Sequence, residues 1–139
     1  MLAPARPAVA VIDLDGFKPV NDTYGHPTGD DVIRVVASRL AAEIRATDIL
    51  GRYGGEEFAL VLPDTGSEGA ASVGARIRDK IAVHPFLKKD GLNIRLTVSV
   101  GVATLPDVAC SAEQLIRAAD EAMYWVKEHG KNNVWVAGS

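Results

Sequence analysis

The chain is poor in several features, and each scarcity excludes a class of protein. Cys110 is the only cysteine, so the chain cannot form an internal disulfide and is compatible with a reducing compartment. No apolar run approaches the length that spans a bilayer, and residues 1–7 do not have the pattern of a signal peptide. The net charge of −3 gives no general attraction to nucleic acid or anionic membrane. We therefore expect a cytoplasmic domain that contacts neither a membrane nor a nucleic acid polymer.

The composition otherwise indicates one globular domain. Hydrophobic residues make up 47% of the 139 residues and charged residues 24%, which are ordinary values for such a domain. A chain of this length can bury a substantial core, so we expect a single domain over residues 1–139. The sequence contains no internal repeat and no low-complexity segment that would suggest another organisation.

The spacing of apolar residues predicts an alternation of strands and helices. The predicted strands are residues 8–14, 48–53, 57–62, 92–105 and 134–136. The predicted helices are residues 28–45 and 67–83 and a third that begins at Ser111 and stops at Gly130, with a loop and short helix at 17–25. This order implies an α/β (α+β) fold, in which helices flank a mixed, mainly antiparallel sheet in an elaborated ferredoxin-like arrangement.

Three local details of this prediction depend on single residues. Thr28 can cap the first long helix while Asp31 reaches back toward it. Gly54 and Gly55 can supply the positive φ of a two-residue hairpin turn. Gly101 can bend the long fourth strand. Each detail assigns a specific backbone conformation to the residue concerned.

The segment Arg52–Phe58, with the sequence RYGGEEF, is the most informative part of the chain. It places Glu56 and Glu57 at the tip of a hairpin, where adjacent carboxylates repel each other unless a cation or proton intervenes. Asp13 ends the first buried strand, where ligands collect in α/β sheets. If that strand lies beside the hairpin, Asp13, Glu56 and a backbone carbonyl near Leu14 can meet, and such oxygen ligands suit Mg²⁺. Taken alone, Asp13 is also consistent with a solvent-facing acid at a strand end.

A polar segment after the first strand contains further candidates. Lys18 could contact phosphate, the amide of Asn21 suits a base edge, and Asp30 could accept paired donors from guanine. Each has an ordinary alternative, because Asn21 is common in turns and Asp30 favours a helix N-terminus. His26 more often braces such a loop than binds a ligand. Taken singly, the ordinary alternatives are favoured.

Two lysines near the end of the last helix form another candidate set. Lys127 and Lys131 lie where cations are favourable in any case, since the C-terminal end of a helix carries partial negative charge. Beside a triphosphate, the same two side chains would become phosphate ligands.

Four motifs occur in an order that resembles one known family. They are DLDGFKxxND at 13–22, GHxxGD at 25–30, RYGGEEF at 52–58, and AADEAMY at 118–124 followed by KxxGKN at 127–132. This set resembles the GGDEF domains, the diguanylate cyclases of bacterial signalling. A lone GGEEF is weak support, whereas four motifs in order over nearly the whole chain are specific.

The resemblance implies a reaction and a fold similar to the catalytic domains of class III nucleotide cyclases. Two GTP molecules, one on each domain of a homodimer, would condense to cyclic di-GMP with release of two pyrophosphates. Mg²⁺, or Mn²⁺, would be held by Asp13, the Leu14 carbonyl and Glu56. Glu56 or Glu57 would orient or deprotonate the attacking hydroxyl. In the full-length bacterial protein, a regulatory domain would control the reaction.

The resemblance also assigns the substrate contacts. In the family pattern, an amide and a carboxylate read guanine, lysines neutralise phosphate, and the two hairpin glycines leave room for the nucleotide. The implied contacts are Lys18, Asn21, His26, Asp30, Gly54, Gly55, Lys127 and Lys131.

An RxxD sequence at Arg45–Asp48 is followed, after five residues, by Gly54. This spacing resembles the family's inhibitory product site, in which Arg45 pairs with phosphate or guanine and Asp48 accepts from guanine. Arg76 falls where the family often supplies another arginine. The alternative is that Arg45 is a helix-end cation and Asp48 starts a strand, but the fixed spacing favours the product site.

The chain departs from the family pattern in two places. The resemblance implies an N-terminal helix and a DxLTGLxNR segment before the first strand, and this chain lacks both. Exposed apolar surface could then promote an unusual dimer. Lys131 stands where arginine is more frequent, so the charge is kept but the bidentate contact is lost.

Three functions stay open at this level. The first is a diguanylate cyclase, and the second is a catalytically silent module that binds cyclic di-GMP or GTP because the N-terminal segment is missing. The third is cyclisation of a single nucleotide, as in class III nucleotide cyclases. The GGEEF acids and the RxxD sequence both fit the dinucleotide product better.

Overall fold

The computed structural model describes residues 7–105 and 111–139, so residues 1–6 and Cys110 lie outside the described part. Its strands are β1 (Ala8–Asp15), β2 (Ile49–Arg52), β3 (Glu57–Leu62), β4 (Thr97–Thr104) and β5 (Asn133–Val136). Its helices are α1 (Phe17–Tyr24), α2 (His26–Ala42), α3 (Ser67–Val83) and α4 (Ala112–Glu128), with a 3₁₀ turn at Lys88–Asp90. In this part of the chain, no helix combines the length and apolarity needed to cross a bilayer.

The strands of the described residues form one mixed sheet in the order β2-β3-β1-β4-β5. All neighbouring strands are antiparallel except β4 and β5, which run parallel. The first four strands therefore have the order 2-3-1-4 of a ferredoxin-like sheet, and β5 extends that sheet at one edge. The predicted α+β fold, with a mainly antiparallel sheet flanked by helices, is confirmed.

The alternation of side chains along β1 decides what lies on each face of the sheet. The even-numbered residues of β1 join the core formed with α2 and α3. Odd-numbered Val9 and Val11 pack against Met123 of α4. Val11 and Met123 are fully buried, and each such side chain contributes about 1.5–3 kcal/mol. Because successive strand residues point to opposite faces, Asp13 and Asp15 come to the side of the sheet that α4 covers.

Gly101 lies within the continuous strand β4, and the pairing of β4 with β1 runs through this residue without interruption. A Cβ atom at this position would collide with the backbone of Ala119 and Met123 in α4. Glycine is needed here because the helix backbone rests directly on the strand. The strand is also shorter than predicted, since it begins at Thr97, while Ile94 pairs with Phe86 in an isolated bridge.

The helix after the first motif begins earlier than predicted. Its N-cap is Gly25, with φ of 89°, and Pro27 lies in its first turn, where a missing N–H costs nothing. Thr28 therefore lies inside α2, and the predicted cap by Thr28 with Asp31 is wrong. The helix ends at Ala42, three residues before the predicted Arg45.

The loop between β2 and β3 differs from the predicted two-residue turn. Four residues, 53–56, separate the strands. The backbone N–H groups of Tyr53 and Gly54 both donate to the Glu57 carbonyl, at 2.8 and 3.2 Å. Neither Gly54 nor Gly55 has a positive φ, because a loop of this length reverses the chain without left-handed residues.

Both ends of α4 have the predicted signals. The Ser111 side chain accepts from the backbone N–H of Gln114 at 3.2 Å, as an N-cap does. Gly130 has a φ of 107°, and the following Lys131 N–H donates to the Val126 carbonyl at 2.9 Å. This is the pattern of a glycine-terminated helix. The helix therefore ends at a fixed point beside the carboxyl end of β1.

Candidate active site at the carboxyl end of the first strand

Strand pairing brings the first and third sequence motifs together. Asp13 lies directly opposite Glu57 in the antiparallel pair of β1 and β3. The Leu14 N–H donates to the Glu56 carbonyl at 3.2 Å, which extends the pairing into the loop. The expectation that the first strand lies beside the hairpin is therefore confirmed, and three candidate acids meet at one edge of the sheet.

These three acids lack enough nearby positive charge to neutralise them. Burial raises the pKa of Asp13, although the ammonium of Lys127 opposes the shift. Burial and then the charge of Asp13 raise the pKa of Glu56. The pKa of Glu57 is raised by burial, by Asp13 and by Asp120. Repelling carboxylates of this kind are stabilised by a cation.

The donor set fits a hard divalent cation that keeps part of its coordination for other ligands. Asp13 and Glu56 offer carboxylate oxygens, and Lys127 Nζ lies 3.0 Å from the Leu14 carbonyl oxygen and 3.4 Å from Asp13 Oδ1. Within residues 7–105 and 111–139, no three His, Cys, Asp or Glu side chains form a complete metal site. Mg²⁺ typically binds through one or two carboxylates and completes its shell with water and phosphate oxygens.

Asp15 is a member of the cluster that sequence reasoning did not select. Its carboxylate is 7% exposed and accepts from Ser99 Oγ at 2.8 Å and Lys127 Nζ at 2.7 Å. It also accepts from Thr97 Oγ1 at 2.7 Å and the Asn132 N–H at 3.0 Å. Burial opposes its ionisation, but these bonds prevail and hold its pKa below the ordinary value. The signal was the alternation Asp13-x-Asp15, which puts both acids on one face.

Asp120 of α4 is a second residue that sequence reasoning missed. Burial and then Glu121 raise its pKa, and its charge in turn raises the pKa values of Glu57 and Tyr124. It precedes Lys127 by two helical turns, so both side chains lie on one helix face. That spacing was the available signal.

Lys127 and Lys131 differ in their surroundings. Lys127 contacts Asp13, Asp15 and the Leu14 carbonyl from the last turn of α4. Lys131 is exposed in the turn that follows, with a φ of 61°. The structure thus brings Lys127 into the acidic cluster and leaves Lys131 at its solvent side.

The candidate guanine contacts lie on α1 and α2. Asn21 Oδ1 is buried without a hydrogen-bond partner among the described residues. It lies against Gly29, where a Cβ atom would collide with it. Asp30, the next residue of α2, is exposed. A buried amide oxygen without a partner is costly unless a ligand or water supplies one.

Lys18 and His26 are both exposed. Lys18 forms an ion pair with Asp22 at 3.4 Å, one turn along α1. His26 is the first residue of α2. Nothing in the described residues brings either side chain into the acidic cluster, so their predicted substrate contacts stay predictions.

Arg52 holds the glycine loop of the hairpin. Its guanidinium donates to the Gly54 carbonyl at 3.2 Å and to the Gly55 carbonyl at 2.6 Å. A Cβ atom at Gly54 would lie 3.1 Å from Glu57 Oε2, whereas nothing lies within 4 Å of one at Gly55. The loop is therefore tied to its own strand, and Gly55 has open space beside it.

The RxxD residues form a closed pair. The Asp48 side chain is 2% exposed and accepts from the Arg45 backbone N–H at 2.8 Å and from Arg45 Nη2 at 3.0 Å. Arg45 Nη2 also donates to the Pro63 carbonyl and to Thr65 Oγ1, both at 2.9 Å. Burial opposes ionisation of Asp48, but the Arg45 bonds hold its pKa below the ordinary value.

Arg76 of α3 contacts Glu43, two residues before Arg45 in sequence. It donates to the Glu43 carbonyl at 3.0 Å, and its Nε lies 3.8 Å from Glu43 Oε1. Its side chain is about half exposed, so it can turn toward a ligand at modest cost.

A surface cavity of about 300 Å³ lies elsewhere, between α4 and β5. Trp125 and Trp135 line it with their rings stacked at 3.9 Å between centroids. None of the candidate residues lines this cavity. The assignment of the site therefore depends on the convergence of charge and hydrogen-bonding groups at the edge of the sheet.

The chain is similar to known proteins over most of its length. A family model described as "Diguanylate cyclase, GGDEF domain" matches residues 3–133. The response regulator PleD of Caulobacter vibrioides is 42% identical over 125 residues, which cover 89% of this chain and 28% of the relative. The probable diguanylate cyclase DgcT of Escherichia coli is 38% identical over 129 residues, which cover 92% and 28%. The chain thus spans 28% of the length of each of these relatives.

Solved structures show the same fold. The GGDEF domain of DgcB from Caulobacter crescentus, in complex with c-di-GMP, gives a TM-score of 0.90 at 35% identity, over 97% of this chain and 80% of that one. The active GGEEF domain of a diguanylate cyclase from Vibrio cholerae gives 0.88 at 32% identity, over 96% and 84%. This chain belongs to the GGDEF domain family of diguanylate cyclases.

Proposed function

We propose that the chain is a diguanylate cyclase domain that condenses two GTP molecules into cyclic di-GMP and two pyrophosphates. The supporting observation is the meeting of Asp13, Glu56 and Glu57, all with raised pKa values, beside the Leu14 carbonyl and Lys127. Family membership supports the same reaction. A cluster of acids at the end of a strand suits a reaction on metal-bound phosphate, because such a reaction needs positioning and electrostatic stabilisation.

The proposed chemistry forms one bond and breaks another at each condensation. The 3′-hydroxyl oxygen of one GTP bonds to the α-phosphorus of the other, and the bond from that phosphorus to the bridging oxygen breaks to release pyrophosphate. Glu57 or Glu56 orients the hydroxyl or takes its proton, and a raised pKa suits a carboxylate to that task. Mg²⁺, or Mn²⁺, held by Asp13, the Leu14 carbonyl and Glu56, would neutralise phosphate charge.

The remaining proposed contacts bind the nucleotide. Asn21 has a buried amide oxygen without a partner in the described residues, which a guanine N–H can supply. Asp30 can accept from the same base edge, with His26 near the start of the helix. The phosphates meet positive charge from Lys18, Lys127 and Lys131. Gly54 and Gly55 leave the hairpin backbone open to the nucleotide.

The reaction requires two domains and invites control by a partner. Each domain holds one GTP, so a homodimer places the two substrates opposite each other. The relative SiaD from Pseudomonas aeruginosa was solved with its activator SiaC, which shows that a relative has such a partner. We infer that a regulatory domain or partner also acts on this domain. A cytoplasmic location stays a prediction.

Product binding at Arg45, Asp48 and Arg76 is proposed as the route of inhibition. Arg45 presents its guanidinium at the surface, and a phosphate can replace its internal acceptors bidentately. The binding of c-di-GMP in the DgcB structure supports product recognition in the family.

The direct test incubates the purified chain with GTP and Mg²⁺ and identifies the product by mass. Cyclic di-GMP supports the proposal, whereas a cyclic mononucleotide would support single-nucleotide cyclisation instead. Glu56→Gln should abolish product formation because it removes a metal ligand and a charge. Cyclic di-GMP formed at the normal rate by this variant would exclude the proposed role of Glu56.

A second candidate is a catalytically silent module that binds cyclic di-GMP or GTP. The Arg45 side chain, which is 57% exposed, favours it, because a phosphate can reach this guanidinium at the surface. Calorimetry separates the two candidates. Tight binding of cyclic di-GMP, lost in Arg45→Ala, together with no turnover would favour the module. Turnover by the wild-type chain would exclude it.

A further inference from the structure

The carboxylate of Asp15 is fully occupied by hydrogen bonds from two different parts of the molecule. Its Oδ1 accepts from Ser99 Oγ at 2.8 Å and Lys127 Nζ at 2.7 Å. Its Oδ2 accepts from Thr97 Oγ1 at 2.7 Å and the Asn132 N–H at 3.0 Å. A carboxylate has about four acceptor positions, so little capacity is left for a metal. Asp15 therefore differs in role from Asp13, two residues earlier on the same face.

Two of these bonds reach the segments that carry the lysines. One holds the ammonium of Lys127 directly. The other holds the backbone of Asn132, the neighbour of Lys131, in a turn where both residues have positive φ, at 61° and 50°. Residues other than glycine adopt this conformation at a cost, and it persists only when surrounding contacts fix it. Asp15 supplies such a contact from the end of β1.

The other two bonds tie Asp15 to the sheet. Thr97 lies directly opposite Asp15 in the pair of β1 and β4, and Ser99 follows on the same face. Both hydroxyls donate to a carboxylate that is 7% exposed, which fixes its orientation. The carboxylate is thus held from β4 and in turn holds the C-terminal end of α4 and the turn after it.

We propose that Asp15 is a positioning residue that places Lys127 and Lys131 for the phosphates of the nucleotide. It acts through these two cations and does not touch the substrate or the metal. The inference rests on the proposed function, since it concerns the phosphate contacts of that same site. A purely structural role for Asp15 would affect folding without specific coupling to Lys127.

The experiment measures the affinity of a GTP analogue with a non-hydrolysable α,β-methylene bridge by calorimetry. Asp15→Asn and Lys127→Met should each weaken binding by about tenfold or more, as expected when a charge-assisted hydrogen bond is lost. Added to a variant that carries both Lys127→Met and Lys131→Met, Asp15→Asn should weaken binding no further, because Asp15 acts through these two charges. A further loss of affinity in that background would overturn the proposal.

Ser99→Ala is the matched control. It removes a donor from the same oxygen of Asp15, while the Thr97 hydroxyl still holds the carboxylate and the strand pairing of Ser99 with Asn133 is kept. It should lower the unfolding temperature and change the analogue affinity less than twofold, well under the cost of one hydrogen bond. Equal losses of affinity in Ser99→Ala and Asp15→Asn would identify a purely structural role and overturn the proposal.

Two further outcomes separate the inference from the function on which it rests. If the wild-type chain binds the analogue and a folded Asp15→Asn binds it equally well, the inference alone fails. If the wild-type chain does not bind the analogue, the proposed function itself fails. Should Asp15→Asn not fold, Asp15→Glu replaces it, since it keeps the charge but moves the carboxylate by one methylene. Unchanged affinity in Asp15→Glu would then contradict the required placement.

Discussion

The two ends of β2 carry charge clusters of different kinds. Before the strand, Asp48 is buried and fully paired with Arg45. After it, Glu56 and Glu57 meet Asp13 across the sheet, and the pKa values of all three are raised. Seven residues separate Asp48 from Glu56 in sequence: the four of β2 and the first three of the loop that follows it.

The difference between the clusters concerns what each gains when a ligand binds. The acidic cluster repels itself in the free domain, so a cation relieves repulsion that the fold otherwise bears. The Arg45–Asp48 pair is already satisfied, so a ligand must exchange its bonds for internal ones. The acidic cluster therefore lowers the stability of the free domain and favours a bound cation. The Arg45–Asp48 pair stabilises the free domain and opposes any ligand, including the proposed product, that competes for its bonds.

The largest expected effect is on the rate of catalysis, when an acid of the Asp13, Glu56 and Glu57 cluster is replaced. Asp13→Asn removes a proposed metal ligand, and the loss of several kcal/mol of transition-state stabilisation should lower the rate of cyclic di-GMP formation on the order of a thousandfold. Because burial raises the pKa of Asp13, the uncharged side chain should be tolerated. Its free energy of unfolding in a chelator should stay within about 0.5 kcal/mol of the wild type.

Product chromatography and urea unfolding check the two halves of this prediction. Unfolding of Asp13→Asn at a much lower urea concentration than the wild type would contradict the difference between the two clusters. The charge at this position would then stabilise the free domain, as it does at the other end of β2.

The second largest expected effect is on the free energy of unfolding, when the Arg45–Asp48 pair is disrupted. Asp48→Asn weakens the hydrogen bonds that the buried Asp48 carboxylate accepts from Arg45 and should lower the free energy of unfolding by about 1–3 kcal/mol. Asp31→Asn is the matched control, since Asp31 pairs with Arg34 but its side chain is 50% exposed. That control should cost less than about 1 kcal/mol. Equal costs in urea unfolding would show that burial does not distinguish the two pairs.

The fold was predictable because its signals are local and repeated. The alternation of β1 and the apolar stripe of α4 each extend over several turns or residue pairs, so single exceptions do not obscure them. The close contact of Gly101 with α4 was not predictable, because the helix that rests on this glycine comes from later in the chain. Gly54 and Gly55 were misread because a glycine pair does not specify loop length.

The site was predictable only in part. Asp13, Glu56 and Glu57 carry a motif, and strand pairing sets Asp13 opposite Glu57. Asp15 was missed because its partners Thr97 and Asn132 lie more than 80 residues away in sequence, and only the folded sheet brings them together. A satisfied buried acid gives no local signal that distinguishes it from a metal ligand.

As pH falls, the contributions of Asp48 and Glu57 to the free energy of unfolding should change with opposite sign. The pKa of Asp48 is lowered, so its stabilisation is complete above the ordinary aspartate pKa and is lost as pH falls through the folded value. The pKa of Glu57 is raised, so its destabilisation appears as pH rises from the ordinary glutamate pKa toward the folded value.

Urea unfolding of the wild type, Asp48→Asn and Glu57→Gln at several pH values measures this difference. The stability lost in Asp48→Asn should shrink as pH falls, and the stability gained in Glu57→Gln should also vanish at acid pH. At neutral pH, the two variants should lie on opposite sides of the wild type. Two variants on the same side would contradict the comparison.

The smallest expected effect is at Arg76. Its partly exposed contacts with Glu43 predict that Arg76→Gln changes the free energy of unfolding by less than about 0.5 kcal/mol. Inhibition by cyclic di-GMP should weaken, but less than in Arg45→Ala, because Arg45 lies in the RxxD sequence itself. A titration of activity against cyclic di-GMP compares the two variants. A larger loss of inhibition in Arg76→Gln than in Arg45→Ala would show that Arg76 contributes more to product binding than Arg45.

The contact between Gly101 and α4 has a mechanical consequence. Because the backbone of α4 rests directly on Gly101, the helix cannot slide or roll without separating from the sheet. Its C-terminal end therefore keeps a fixed position beside β1. The β2–β3 hairpin carries Glu56 at its tip and Asp48 at its base, so a movement of this hairpin would couple the proposed metal site to the proposed product site.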